Sequence, residues 1–513
     1  MKRITWKKHH KWLGIGFAFF MLMFCVSGII LNHRSWFAHM EVGRQWLPSS
    51  YKFAKWNGGL LRGTLQGDFG TDSILIYGNS GLWTTCGQQP KASSQCSPNQ
   101  CSPLEVHDFN QGLPATADYR NIKSCVHTPD GQLWAAAQFG LYKYERAEKQ
   151  WTSVALPLAD DDKLSDLTIK QDTLVVVGRS YLYASAAPYH DFRRIEVHAP
   201  SNYDEKVSLF RTVWSLHSGE LFGLTGKLFM DTVAVVLILL CFTGIIFWLL
   251  PKYIRRAKAK GKSVKNSALW LKRNLNWHDS LGRYTFGILL FVAVTGWCLR
   301  PPVLIALAQL RVPAVPYTVM DDDNAWHDRL RMLRYDSVYG DWILSTSEGL
   351  FTLDYLDAIP ESVKKAPPVS VMGLNAWEQD PEGRWLMGSF SGMFLWDRST
   401  DTATDYFTGE VTEEVAGPPF GKFAVAGYTR HLINQPVVVE YYKGTDLVSM
   451  PQELRTLPIS LWNLALEVHT GRIYTVLGPG TLIYIFFAGI AAVWCLYSGY
   501  RIRKPKKTKK ERV

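Results

Sequence analysis

Cysteine is scarce in this chain, eight in 513 residues. Four of them, Cys25, Cys241, Cys298 and Cys495, fall inside apolar runs, where a thiol acts as a small hydrophobe. The other four, Cys86, Cys96, Cys101 and Cys125, form an even set in one polar block. That set predicts two disulfides in an oxidising compartment with three connectivities open, and a metal site is the rival reading. No Gly-x-Gly-x-x-Gly fingerprint is present, so a nicotinamide or flavin dinucleotide is not expected to be held by this chain. No small-x-small cleavage motif follows the first apolar run, which ends Leu31-Asn32-His33-Arg34 and exceeds the ~7–15 residues of a signal-peptide core. That run is expected to remain as a helix. Acidic residues are outnumbered, 45 against 56 basic, and charged residues make up only 20%.

What is present comes in blocks. At 47% hydrophobic the chain is too polar to consist of membrane spans alone. Four runs still read as spans, roughly 12–32, 232–250, 281–299 and 477–499, each close to the ~20 apolar residues that cross a hydrocarbon core of about 30 Å. Basic residues crowd the short segments beside them: Lys2, Arg3, Lys7 and Lys8, then nine between Lys252 and Arg273, then the tail from Arg501 to Arg512. The positive-inside rule turns these to the cytoplasm and places the polar blocks outside. The expected map is 1–33 with the first span, 34–213 outside, 214–250 as the second span, 251–277 as a basic loop, 278–302 as the third span, 303–465 outside, 466–500 as the fourth span and 501–513 as a cytoplasmic tail. The formal charge of +11 is then a topology signal with contact to membrane lipid, and nucleic acid is not an expected partner.

The chain also repeats itself. His10-Lys11-Trp12-Leu13-Gly14 aligns with His278-Asp279-Ser280-Leu281-Gly282 at an offset of 268, which also superposes Ser27-Gly28 on Thr295-Gly296 and Gly81-Leu82-Trp83 on Gly349-Leu350-Phe351. Further on the offset is 252, matching Gly140-Leu141-Tyr142 to Gly392-Met393-Phe394 and His217-Ser218-Gly219 to His469-Thr470-Gly471. The difference of 16 is the length of 86–101, which reads as an insertion in the first half. The Gly-Leu-aromatic element recurs about every 40 residues within β-forming strings, a spacing in the range of propeller blades. The expected architecture is therefore a multi-domain α+β membrane protein. Its four-helix bundle is built from two parallel repeats, and its external all-β insertions form either one propeller or two β domains.

Histidines recur at the span ends. His10 and His278 begin the first and third spans, and His217 and His469 precede the second and fourth. Two halves related by an axis along the membrane normal would pair His10 with His278 and His217 with His469. Imidazole is an axial ligand for haem iron, so each pair is a candidate site for a b-type haem, two in all. No Cys-x-x-Cys-His accompanies them, so covalent attachment is not expected. Gly14, Gly282, Gly219 and Gly471 would leave room for a flat macrocycle. Lys11, Arg273, Arg34 and Arg472 are candidate partners for its propionates, and all eight have an alternative role in helix packing, topology or headgroup contact. His33 has no repeat partner, its place being taken by Pro301, and is an accessory candidate. Asp160-Asp161-Asp162 and Asp321-Asp322-Asp323 are expected to be solvated turns rather than cation sites.

The strings His10-Lys11-Trp12-Leu13-Gly14 with Ser27-Gly28, Leu216-His217-Ser218-Gly219-Glu220-Leu221-Phe222-Gly223 with Thr243-Gly244, and His469-Thr470-Gly471-Arg472-Ile473-Tyr474 resemble the signature helices of the PepSY-associated transmembrane family. The resemblance covers about a quarter of the chain, and no PepSY domain accompanies it. It implies a haem-bearing electron conduit related to inner-membrane ferric-siderophore reductases. A quinol or a cytoplasmic reductase would be the donor and a ferric chelate a candidate external acceptor. The alternative is a membrane-anchored β protein that senses or binds a partner, with purely structural histidines.

Overall fold

Among the described residues three helices are long and apolar enough to cross a membrane, with a fourth if a bent pair counts as one span. They belong to the computed structural model, which describes residues 2–86, 104–159, 162–308, 310–412, 423–478 and 480–502. The chain divides into a helical unit (1–40, 205–321 and 461–513) and a β unit (41–204 and 322–460).

In the helical unit α1 is Arg3–Asn32, α2 Leu209–Ser218, α3 Gly223–Ala259, α4 Lys265–Tyr284, α5 Phe286–Cys298, α6 Leu461–His469 and α7 Gly480–Arg501. Helix α1 packs on α3, α6 and α7, α3 packs on α4, and α5 packs on α7 and α2. Between them lies an apolar layer of Val233, Leu240, Leu289 and their neighbours. Phe19, Leu239, Phe242, Phe291, Ile483 and Phe487 point outward and exposed, an arrangement that water penalises and lipid does not. This is a membrane protein.

The expected straight third span, 281–299, is instead broken, with α4 and α5 meeting at 66°. At the break the Thr285 hydroxyl donates to the Leu281 carbonyl at 2.8 Å, beside the Thr285 N–H at 3.1 Å. Helix α4 is polar and is anchored by buried Asn274, whose amide donates to the Thr243 carbonyl of α3 at 2.8 Å.

The β unit is made of small open antiparallel sheets. Gly63–Phe69, Asp72–Gly78, Gly81–Thr85 and Val106–Asp108 form the first, and Ile122–His127, Leu133–Ala137, Gly140–Glu145 and Gln150–Val154 the second. The third runs through Leu164–Lys170, Thr173–Gly178, Leu182–Ala186 and Arg193–Ile195, and the fourth through Leu330–Asp336, Asp341–Thr346, Gly349–Leu353 and Glu361–Ser362. Leu374–Gln379, Trp385–Ser389, Gly392–Asp397 and Thr402–Asp405 make the fifth, and Val425–Thr429 with Val437–Glu440 the sixth. Strand bounds in the second sheet plus 252 give those in the fifth for the first three strands. Sheets two to six each carry a register shift near the start of their first strand.

Each apolar core is shared by two successive sheets. Leu82 of the first meets Ile122 of the second, Leu141 meets Val176, Leu182 meets Leu344, Ile343 meets Trp377, and Leu386 meets Val425. The last core joins Val439 of the sixth sheet to Ile76 and Trp83 of the first. Both polar blocks thus fall within one unit.

The disulfide expectation is corrected in part. Cys86 and Cys125 are free thiols, and Cys96 and Cys101 lie outside the described residues. Cys125 is buried between the first two sheets, while Cys86 bonds Thr71 and Asp72. Of the acidic clusters, Asp162 takes the Tyr183 hydroxyl and Asp322 pairs with His327, while Asp160 and Asp161 lie outside the described residues.

Candidate functional site

Helix packing brings the four repeat-matched histidines together in two pairs. His10 of α1 faces His278 of α4 with ring centroids 6.0 Å apart and planes at 59°. His217 near the end of α2 faces His469 at the end of α6 with centroids 6.1 Å apart and planes at 51°.

Three of the rings are bonded by the hydroxyl of a Ser-Gly or Thr-Gly dipeptide on another helix, and the fourth by a backbone carbonyl. His469 Nδ1 lies 3.1 Å from Ser27 Oγ and 3.0 Å from the Phe24 carbonyl. His278 Nδ1 lies 2.9 Å from Thr243 Oγ1, and His217 Nδ1 lies 3.2 Å from Thr295 Oγ1. His10 Nδ1 meets the Cys495 carbonyl at 3.0 Å, and Ser498 Oγ donates to that same carbonyl at 2.9 Å. The hydroxyls of Ser27, Thr243 and Thr295 donate to carbonyls four residues back, Met23, Leu239 and Phe291, at 2.6, 2.8 and 2.9 Å. With its proton committed there, each hydroxyl oxygen accepts, as a carbonyl does, so every Nδ1 carries hydrogen and every Nε2 keeps its lone pair. Among the described residues no protein group bonds any of the four Nε2 atoms.

The glycine of each dipeptide lets the ring approach. A Cβ on Gly296 would stand 2.7 Å from His217 Cε1, and one on Gly499 would stand 2.8 Å from His10 Cε1. Gly28 and Gly244 leave 3.3 and 3.5 Å to His469 and His278. Gly219 and Gly471 take positive φ of 81° and 73° just after α2 and α6, while Gly14 and Gly282 approach Cys495 and Leu240.

The spacing can be tested against a metal bound between the rings. With an imidazole–metal bond of about 2 Å and about 1 Å from ring nitrogen to ring centre, two opposed ligands place their centroids ~6 Å apart. Both pairs have that spacing. Among the described residues no group of three or more His, Cys, Asp or Glu could hold a bare ion. Two lone nitrogens suit a metal whose remaining positions are filled by a planar macrocycle, so the donor set fits haem. Along α1, His10 and Gly28 are 18 residues apart, which puts the two sites about 27 Å from one another along that helix.

Other sequence candidates are engaged elsewhere. His33 bonds Asp231 Oδ2 through Nε2 at 2.6 Å and joins neither pair. His9 accepts from Trp494 at 3.2 Å. Lys11 and Arg273 lie over Trp12 and Trp277, Arg34 lies over Trp462, and Arg472 pairs with Glu467. Sequence reasoning missed Ser498-Gly499, which the Ser/Thr-Gly pattern of the other three dipeptides could have revealed, and Arg300. Arg300 lies one turn beyond Gly296, half-buried, with the charges of Arg472 and Glu467 near it.

The family model described as the PepSY-associated TM region matches residues 1–251 and again 225–503. No curated protein matches the chain. Two similar solved structures, described as extracellular domains of a hybrid two component system and a one component system from B. thetaiotaomicron, are each 11% identical with TM-score 0.33. Each match covers 80% of this chain and 39% or 40% of the other, so the chain spans about two fifths of their length.

Proposed function

This chain belongs to the PepSY-associated transmembrane family, and on that premise we propose that it is a b-type haem electron conduit of the bacterial inner membrane. His10 with His278 would hold one haem and His217 with His469 a second. The observation that carries the reading is the fourfold clasp, in which each Nδ1 is bonded, each Nε2 is open, and each pair of rings stands about 6 Å apart.

A bound haem supplies a one-electron iron couple, and the remaining work belongs to the chain. The Ser/Thr-Gly dipeptides fix ring tautomer and direction. The apolar helices exclude water between the sites, and Arg300 adds positive charge beside the His217–His469 pair. The basic segments turn the His10–His278 end to the cytoplasm, where a reductase or quinol donates, and the other end to an outside acceptor such as a ferric chelate. The helices are read as a four-helix bundle of two parallel repeats, with the bent α4–α5 pair as its third member. The β unit is read as a six-bladed propeller outside the membrane. What supports the latter is the succession of six shared cores that returns to the first sheet.

The test is absorption of the detergent-purified protein. A Soret band and a dithionite-dependent α band of low-spin haem are expected. A folded, colourless protein would overturn the proposal in favour of a membrane-anchored β protein with structural histidines.

A further inference from the structure

Asp231 is the only carboxylate in α3, and a carboxylate within a membrane helix is costly enough to call for a function. Its side chain is 15% exposed and that of His33 is 10% exposed, with His33 Nε2 to Asp231 Oδ2 at 2.6 Å. The Asn32 amide donates to Asp231 Oδ1 at 2.9 Å and to the Ser218 carbonyl at 3.2 Å, and Ser218 directly follows His217. The His33 ring stacks on Trp36 at 4.6 Å with planes 13° apart. A continuous polar chain therefore runs from a histidine–carboxylate pair to the backbone beside one candidate ligand.

The second half does without this device. At the repeat offsets Asn32 corresponds to Arg300, His33 to Pro301 and Asp231 to Ile483, although His469 is clasped as His217 is. Packing of the histidine pair thus does not require a carboxylate. The other charged groups on the surrounding elements are matched or engaged. Lys227 pairs with Glu220 at 3.2 Å, Arg472 pairs with Glu467, Arg34 covers Trp462, and Arg211 has its own partner. Arg300 lies near the charges of Arg472 and Glu467.

We propose that His33 and Asp231 form a proton-binding pair coupled to the His217–His469 site. One electron entering that site from a one-electron donor is accompanied by one proton from water onto the pair. Departure of the electron to the acceptor returns the proton. The physical reason is charge balance, because an added electron in a poorly solvating interior costs less when a proton joins it. The inference rests on the haem reading.

The experiment is a redox titration across pH of the His278→Ala protein, which would keep only the haem at His217 and His469. The expected result is a reduction equilibrium that falls up to tenfold per pH unit, about 59 mV for one electron. Asp231→Asn and His33→Gln should each reduce that dependence below twofold per pH unit. Asn32→Ala, which keeps the pair but cuts the bridge, should fall between. A pH-independent parent, or an unchanged slope in His33→Gln, overturns the pair even if Asp231→Asn fails to fold. A colourless parent overturns the haem reading instead, and the two failures are distinct.

Discussion

Gly296 and Gly244 occupy the same place in two clasps but leave different room, and that difference is measurable. Gly296→Ala puts a methyl 2.7 Å from His217 and must displace it, whereas Gly244→Ala meets His278 at an ordinary 3.5 Å. The first variant is expected to lose haem from one site or shift its spectrum, and the second to load both sites, as haem-to-protein ratios will report. His217→Ala or His469→Ala should each leave about half the haem, held by His10 and His278. Retention of both haems in these variants would refute the ligand assignment. Arg300→Gln removes a cation near the His217–His469 pair and so destabilises its reduced state less by charge than it stabilises the oxidised one. Its midpoint potential should fall by ~10–60 mV, measured by redox titration, with the other site unmoved.

At the scale of elements, one guanidinium adds an ion-pair bridge to the apolar core that the fourth and fifth sheets share. Arg398 meets Asp336 at 2.7 Å and Asp341 at 2.6 Å, with the Asp336 side chain 1% exposed. Burial would raise the Asp336 carboxyl, but bonds from Trp385 and Arg398 outweigh it and hold it below the usual carboxylate range. A depressed folded value adds stability that is present above the unfolded value and is lost as pH falls through the folded one. Arg398→Met leaves that carboxylate buried without its partner and should cost about 3–5 kcal/mol at neutral pH. Thermal unfolding of the variant should also lose part of the acid-side decline of the parent, and equal declines would count against this account.

Across the whole molecule, the proposed conduit needs its two sites in series, so each should be indispensable to transfer between the two sides of a membrane. In proteoliposomes with an enclosed reductant and an impermeant ferric chelate outside, His10→Ala and His217→Ala should each abolish reduction of the chelate, whichever way the protein inserts. Activity that survives loss of either pair would place donor and acceptor on the same side.

The amino-acid sequence by itself determined the apolar runs, the two offsets and the matched histidines, because span length, strand periodicity and repetition are written in neighbouring residues. It also carried the pairing of His10 with His278 and of His217 with His469, since a repeated unit constrains which copies can meet. Only the tertiary structure decided how those rings are held. The hydroxyl and carbonyl that fix His469 lie 442 and 445 residues from it, and no local pattern encodes contacts made by helices that meet only after folding. The same holds for His33, whose carboxylate is 198 residues away on α3, and for Cys125, which looked like half of a disulfide until two sheets closed over it. The bend at Thr285 was equally hidden, because hydropathy registers the apolarity of a run and not the direction of its axis.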